Sequence, residues 1–140
     1  MRYALISALA LCALAAQALP QATAKRKIPC KTLGNASSCY WTRGRLAVYN
    51  GRPPLRLWKI GTKRVLAIYS GPSIKRGDEQ DMMNPELPPN VEKAFTSSDD
   101  QIFGDFEICP LDADRPGEMQ AACIESAKRI FVQKLTLPSR

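Results

Sequence analysis

Hydrophobic and polar residues alternate along most of the chain with a period of two, the signature of half-buried strands. Residues Tyr40 to Tyr49 (YWTRGRLAVY), Leu55 to Ile60 (LRLWKI) and Arg64 to Tyr69 (RVLAIY) each read as a strand. Asn50-Gly51 and Gly61-Thr62 supply turns between them, because Asn and Gly tolerate positive φ. Arg52-Pro53-Pro54 lengthens the first turn beyond a two-residue hairpin. Within the strands, Leu46 and Val48 share one face, opposite Arg45, Ala47 and Tyr49; Leu55 and Leu57 oppose Arg56, Trp58 and Ile60. The meander is thus predicted to carry one aliphatic face and one Arg/aromatic face.

The pattern breaks between Gly71 and Asp100, which carries Pro72, Pro85, Pro88 and Pro89. One short helix is expected there, N-capped by Asn90 and running from Val91 to Phe95. Alternation resumes at Gln101 to Leu111 (QIFGDFEICPL), with Phe106 and Ile108 set against Asp105, Glu107 and Cys109. Residues Glu118 to Ala127 have helix-favouring composition, but their place just after the Asp112–Gly117 turn suits a hairpin, so a strand is expected, as it is for Ile130 to Leu137. The predicted fold class is mainly β: a small five-stranded antiparallel barrel of the oligonucleotide/oligosaccharide-binding type, or a sandwich, with one short helix and two disulfides.

The first 24 residues stand outside this pattern. Arg2 is followed by an uncharged apolar run from Ala4 to Ala16, then a polar stretch ending in Ala22-Thr23-Ala24. These are the parts of a secretory signal peptide, with cleavage expected after Ala24. The apolar run falls short of the roughly 20 residues that span a bilayer, so no transmembrane segment is expected in the remaining chain. Residues 25–140 then form one small domain, periplasmic or secreted.

Loss of the signal removes Cys12 and leaves Cys30, Cys39, Cys109 and Cys123. Four cysteines in an exported chain read as two disulfides. Pairing Cys30–Cys39 and Cys109–Cys123 closes two short loops, each stabilising by ~3 kcal/mol in the chain-entropy model. A zinc site is disfavoured, because structural zinc prefers closer cysteine pairs and the sequence has no histidine.

Charge is strongly segregated along the chain, whose net charge is +7. Lys25 to Arg76 holds 13 Lys and Arg and no acid, whereas Gly77 to Glu125 holds all 13 acids. Two arrangements accommodate this: basic strands facing acidic ones across the sheet, or a basic surface that binds an anion. For the second, Arg45, Arg56, Trp58, Lys59 and Arg64 are the candidate binding residues, with Arg43, Arg52 and Lys63 near them in sequence. The expected partner is an anionic envelope component or an acidic protein. Nucleic acid would need a compartment argument that the sequence does not supply.

Catalytic chemistry is sparse. Zero histidines removes the commonest general base and metal ligand, and paired cysteines leave no thiol nucleophile. Asp105 and Glu107, two apart on a strand, could be imagined as a glycosidase-like acid and base, but paired acids facing basic neighbours more often form salt bridges. Asp112 to Gly117 starts like a calcium loop and then fails, with Pro116 and Cys123 at required ligand positions. Asn35-Ala36-Ser37 matches a glycosylation sequon, and no phosphate-cradling loop or other cofactor motif is present.

Several blocks in order, Gly44-Arg-Leu46, Asn50-Gly-Arg-Pro53, Leu55 to Arg64, Gly104 to Leu111 (GDFEICPL) and Met119 to Ser126 (MQAACIES), resemble a group of small exported bacterial proteins. The resemblance implies a bacterial exported protein and brings no activity or site residue with it. The expected function is therefore a non-enzymatic binding or structural module; a carboxylate-dependent hydrolase or an accessory subunit of an envelope assembly are the alternatives.

Overall fold

The computed structural model describes residues 26–135; the expected signal segment lies outside them. Five strands, β1 (Tyr40–Val48), β2 (Leu55–Lys59), β3 (Val65–Ile68), β4 (Asp100–Pro110) and β5 (Gln120–Lys134), make one mixed sheet. Each strand pairs with two neighbours in the order β1-β2-β3-β5-β4, and β4 returns to β1, so the ladder closes on itself. Four pairings are antiparallel and one, β3 with β5, is parallel, which corrects the expectation of a wholly antiparallel sheet. The parallel pair follows from the long excursion after β3, since parallel neighbours need a crossover of a dozen or more residues.

That excursion holds two short helices, α1 (Glu79–Met83) and α2 (Pro89–Ala94), rather than the one expected. Asp78 caps α1 by accepting a hydrogen bond from the Asp81 backbone N–H. Asn90 lies inside α2 instead of capping it; Pro89 takes the first helical position, where its missing N–H costs nothing. The two strands expected beyond the Asp112–Gly117 turn are a single one among the described residues. Gln120–Lys134 is one long strand, with a register shift opposite Phe103–Asp105 where Arg129 adopts φ 51°. The shift lets a 15-residue strand bend along β4.

The alternation of the sequence becomes the inside and outside of the ring. Leu46, Leu57, Leu66, Ile68, Ile102, Phe106, Ile108 and Ile124 fill the interior, and Val91 of α2 packs against them. Val48, expected beside Leu46 on the apolar face, is instead 41% exposed where β1 ends, at the mouth of a cleft it shares with Met83 and Phe95. Gly44 and Gly104 are cross-strand partners on β1 and β4. A Cβ on Gly44 would stand 2.9 Å from Leu57 Cδ2 and 3.1 Å from Phe106 Cδ2, and one on Gly104 would stand 2.6 Å from Ile130 Cγ2. The two glycines therefore make room for the largest core side chain and for the β5 backbone crossing beside it.

The disulfides are Cys30–Cys123 and Cys39–Cys109, which overturns the local pairing expected from spacing. Register explains the change. Tyr40 lies opposite Ile108 in the β1–β4 ladder, so the next step outward brings Cys39 to Cys109. Cys109 is in turn the cross-strand partner of Cys123, which bonds to Cys30 of the N-terminal segment. Both bridges consequently sit side by side, with the sulfurs of Cys30, Cys109 and Cys123 mutually within 4.8 Å.

The N-terminal lead-in is fastened to the rest of the fold by hydrogen bonds. Arg26 donates to the carbonyls of Ile28, Ser70, Glu86 and Ile124 at 2.8, 2.7, 2.9 and 2.5 Å. The Ile28 N–H donates to Glu86 Oε2 at 2.9 Å, and the Glu86 N–H to Ser70 Oγ at 2.7 Å. Ser70 itself donates from backbone and hydroxyl to the buried Asp81 carboxylate. The segment is thus stitched to β3, the excursion and β5 together.

Candidate functional site

The outward face of the meander carries the candidate residues, and β-strand periodicity decides which of them meet. Arg56 and Trp58 are two apart on β2 and project outward together; Arg45 is the direct partner of Trp58 across the β1–β2 ladder. With Tyr49 and Val65 these three line a shallow cleft. The Arg45 guanidinium lies over the Trp58 ring, 5.1 Å from its centroid, and that of Arg56 over the Tyr49 ring at 5.6 Å. Arg45 also donates to Tyr49 Oη at 2.8 Å, while its Nε is buried without a hydrogen-bond partner among the described residues. The Trp58 indole N–H donates to the Thr62 carbonyl at 2.8 Å, so the β2–β3 turn holds the ring in place. Trp58 is half-buried.

Arg64 is next door rather than in the cleft. It borders an adjoining hollow with Arg56, Lys63, Val65 and the Gly117–Met119 loop, and its guanidinium is ion-paired with Asp114. Lys59 departs from the expectation. One residue beyond Trp58, it takes the opposite orientation, and its ammonium rests 4.7 Å from the Tyr40 ring centroid and 3.2 Å from Tyr40 Oη. The site assembled by the structure is therefore Arg45, Arg56 and Trp58, with Arg64 and Lys63 at its border and Lys59 outside it.

Charge segregation resolves in part as ion pairs between the two halves of the chain. Ion pairs join the basic and acidic halves at Arg26–Glu86, Lys31–Glu107, Arg43–Asp105, Arg52–Glu79 and Arg64–Asp114. Arg45, Arg56 and Lys63 have no such carboxylate partner among the described residues.

The carboxylates singled out for chemistry are engaged elsewhere. Asp105 accepts from Arg43 at 3.3 Å and from Arg129, and Glu107 from Lys31 at 2.5 Å and Ser126 Oγ at 2.8 Å. Burial pushes the Asp105 carboxyl up, but the bonds from Arg129 and Arg43 outweigh it and hold the group below its ordinary range. The Lys31 bond does the same for Glu107. Asp100 is held low chiefly by hydrogen bonds from the Thr96 backbone and hydroxyl, and Ser97 N–H adds a third donor. Asp112 accepts from the Ala121 N–H at 2.9 Å, bracing the β4–β5 turn. In the sequon, Asn35 Nδ2 donates to the Cys30 carbonyl at 2.8 Å and Oδ1 accepts from the Thr32 N–H at 2.7 Å, so the carboxamide serves the loop.

Depressed carboxyls make stability depend on pH in one direction. Their folded pKa values lie below the unfolded ones, so their contribution is fully present above the usual carboxylate range and lost as pH falls through the folded values. The thermal midpoint is expected to stay level from neutral pH to about 5 and to drop below about 4. An Asp100→Asn/Asp105→Asn variant should start lower and fall less steeply; an unchanged slope would remove these two groups from the account.

Sequence reasoning placed Tyr49 on the Arg/aromatic face but missed it as a residue of the cleft, because its ring meets Arg56 only across the β1–β2 turn. Among the described residues no helix is long and apolar enough to cross a membrane. No family model, curated protein or solved structure matches the chain.

Proposed function

We propose that this is an exported bacterial binding module without catalytic activity, whose outer β1–β3 face takes an anionic envelope partner. The observation that carries the reading is the convergence of Arg45, Arg56 and Trp58 in one cleft, with both guanidiniums stacked and neither ion-paired to a described carboxylate. Stacking on a ring pre-positions a guanidinium. Arg56 Nε and Nη2 donate to the Pro53 and Asn50 carbonyls and Arg45 Nη2 to Tyr49 Oη, so only the remaining N–H groups are left for a carboxylate or phosphate. Disulfides support an oxidising compartment, as the resemblance to exported proteins also suggests.

The architecture supports an oligonucleotide/oligosaccharide-binding type of barrel. Five strands close on themselves with the helical excursion after β3. In that fold the strand 2–3 face and the loops joining strands 1–2 and 4–5 form the binding surface. Here Trp58 and Val65 come from β2 and β3, Tyr49 from the β1–β2 loop, and Gly117–Met119 from the β4–β5 loop.

The test is binding of the disulfide-bonded protein to polygalacturonate and to anionic phospholipid vesicles, with neutral dextran as control. Binding to one of the anionic partners should fall about tenfold or more in an Arg56→Ala/Trp58→Ala variant, with far-UV circular dichroism and thermal midpoint preserved. Equal binding to dextran, or unchanged binding by the folded variant, overturns the reading.

A further inference from the structure

The cleft is one end of a longer track. Following the ladder registers across the outer surface, Val65 pairs with Trp58, Trp58 with Arg45, Arg45 with Phe103, and Phe103 with Phe131. All five strands contribute one outward residue to this row. The Phe103 and Phe131 rings are stacked 5.1 Å apart with planes 7° from parallel, and Phe131 is 52% exposed. Phe131 is stacked on Phe103 with the Arg43 guanidinium 6.0 Å from its centroid, and the rest of its surface is open at the end of the row.

A second row runs beside the first. Two residues along each strand, Arg56, Ala47, Gln101 and Gln133 are successive cross-strand partners on the same outward face. Ala47 is buried between its neighbours, so this row offers a guanidinium at one end and carboxamides at the other. Rings in one row and carboxamides in the next match a ligand that has flat apolar faces edged with hydroxyls. The guanidiniums of Arg45 and Arg56, which have no carboxylate partner among the described residues, favour a ligand that also carries negative charge.

We infer that the ligand is an acidic polysaccharide, a chain of pyranose rings bearing carboxylates, lying across the strands from Trp58 to Phe131. This rests on the proposed binding role of the Arg45–Arg56–Trp58 cleft and extends it. Three ladder steps separate Trp58 from Phe131, roughly 14 Å at about 4.8 Å per step, which is the reach of an oligomer and not of a single sugar acid. Carboxamides and disulfide-stabilised folding favour a glycan over a nucleic acid: the former address hydroxyls, and the latter suits an extracytoplasmic compartment.

The experiment is calorimetric titration of the disulfide-bonded protein with galacturonate oligomers of increasing length and with an oligothymidylate. Affinity should rise about tenfold between the dimer and the longer oligomers and then level off. A Phe103→Ala/Phe131→Ala variant should lose that gain and keep dimer binding; Phe131→Ala alone, at an exposed position, serves if the double variant unfolds. Arg45→Ala/Trp58→Ala should lose both. Length dependence that survives loss of Phe103 and Phe131 overturns the track while leaving the cleft as the binding site. Binding of the oligothymidylate but no galacturonate overturns the glycan assignment and keeps the anionic face. Binding of neither overturns the track and also counts against the cleft.

Discussion

Replacing Cys30 and Cys123 together by serine is expected to cost about 3–4 kcal/mol, because with the nested Cys39–Cys109 bridge intact this one closes about 23 further residues of chain. Its partners are 93 residues apart, and those of Cys39–Cys109 are 70 apart. The denatured ensemble loses more freedom to a long loop than to a short one, although the dependence is only logarithmic. Small domains have a total stability of about 5–15 kcal/mol, so this single change takes a large share of it. Urea denaturation read by far-UV circular dichroism measures the loss. A cost under ~1 kcal/mol would mean that the N-terminal segment is held as well without the bridge. Non-reducing peptide mapping gives an independent check: linked peptides containing Cys30 with Cys39 would contradict the tertiary pairing outright.

Arg26→Met should cost about 3 kcal/mol. The guanidinium satisfies four backbone carbonyls from separate parts of the chain. Burial lowers its pKa, and Glu125, Glu86 and Asp81 work against that shift by favouring the charged form. Removing the donors strands carbonyls that face the interior, and an unsatisfied buried polar group costs more than a hydrogen bond gains. Arg26→Lys should recover only part of the loss, since an ammonium lacks the planar fork that reaches several acceptors at once. Denaturation midpoints of the two variants decide the matter; equal stability of Arg26→Met and the native protein would show that these contacts contribute nothing in solution. Both predictions concern the same seam, where residues preceding β1 are fastened to β5 by a covalent bond at Cys123 and by Arg26 at Ile124.

How much of this was legible beforehand varied with the range of the interaction. Leu55-Arg56-Leu57-Trp58 announced its two faces, because a strand turns successive side chains to opposite sides whatever it pairs with. The same rule placed Phe106 and Ile108 inside and Asp105 and Glu107 outside. It also should have separated Lys59 from Trp58, since adjacent strand residues cannot share a face. Arg45 and Arg56 were identifiable as candidates from their lack of acidic neighbours in sequence. Their freedom from ion pairing was not, because Arg43 and Arg64 have the same local context and meet Asp105 and Asp114 only through the fold.

Alternation and turn chemistry are local, and the sequence alone determined what depends on them: the first four strands, the faces of the meander, the turns at Asn50-Gly51 and Gly61-Thr62, and the separation of basic from acidic segments. Tertiary structure decided everything that depends on which strand lies beside which. The β1–β4 ladder set Cys39 against Cys109, the parallel β3–β5 pair closed the ring, and two further ladders aligned Trp58, Arg45, Phe103 and Phe131 in one row. The physical reason is that register is selected by how the whole interior packs, since a slip of one residue would turn every side chain of a strand to the wrong face.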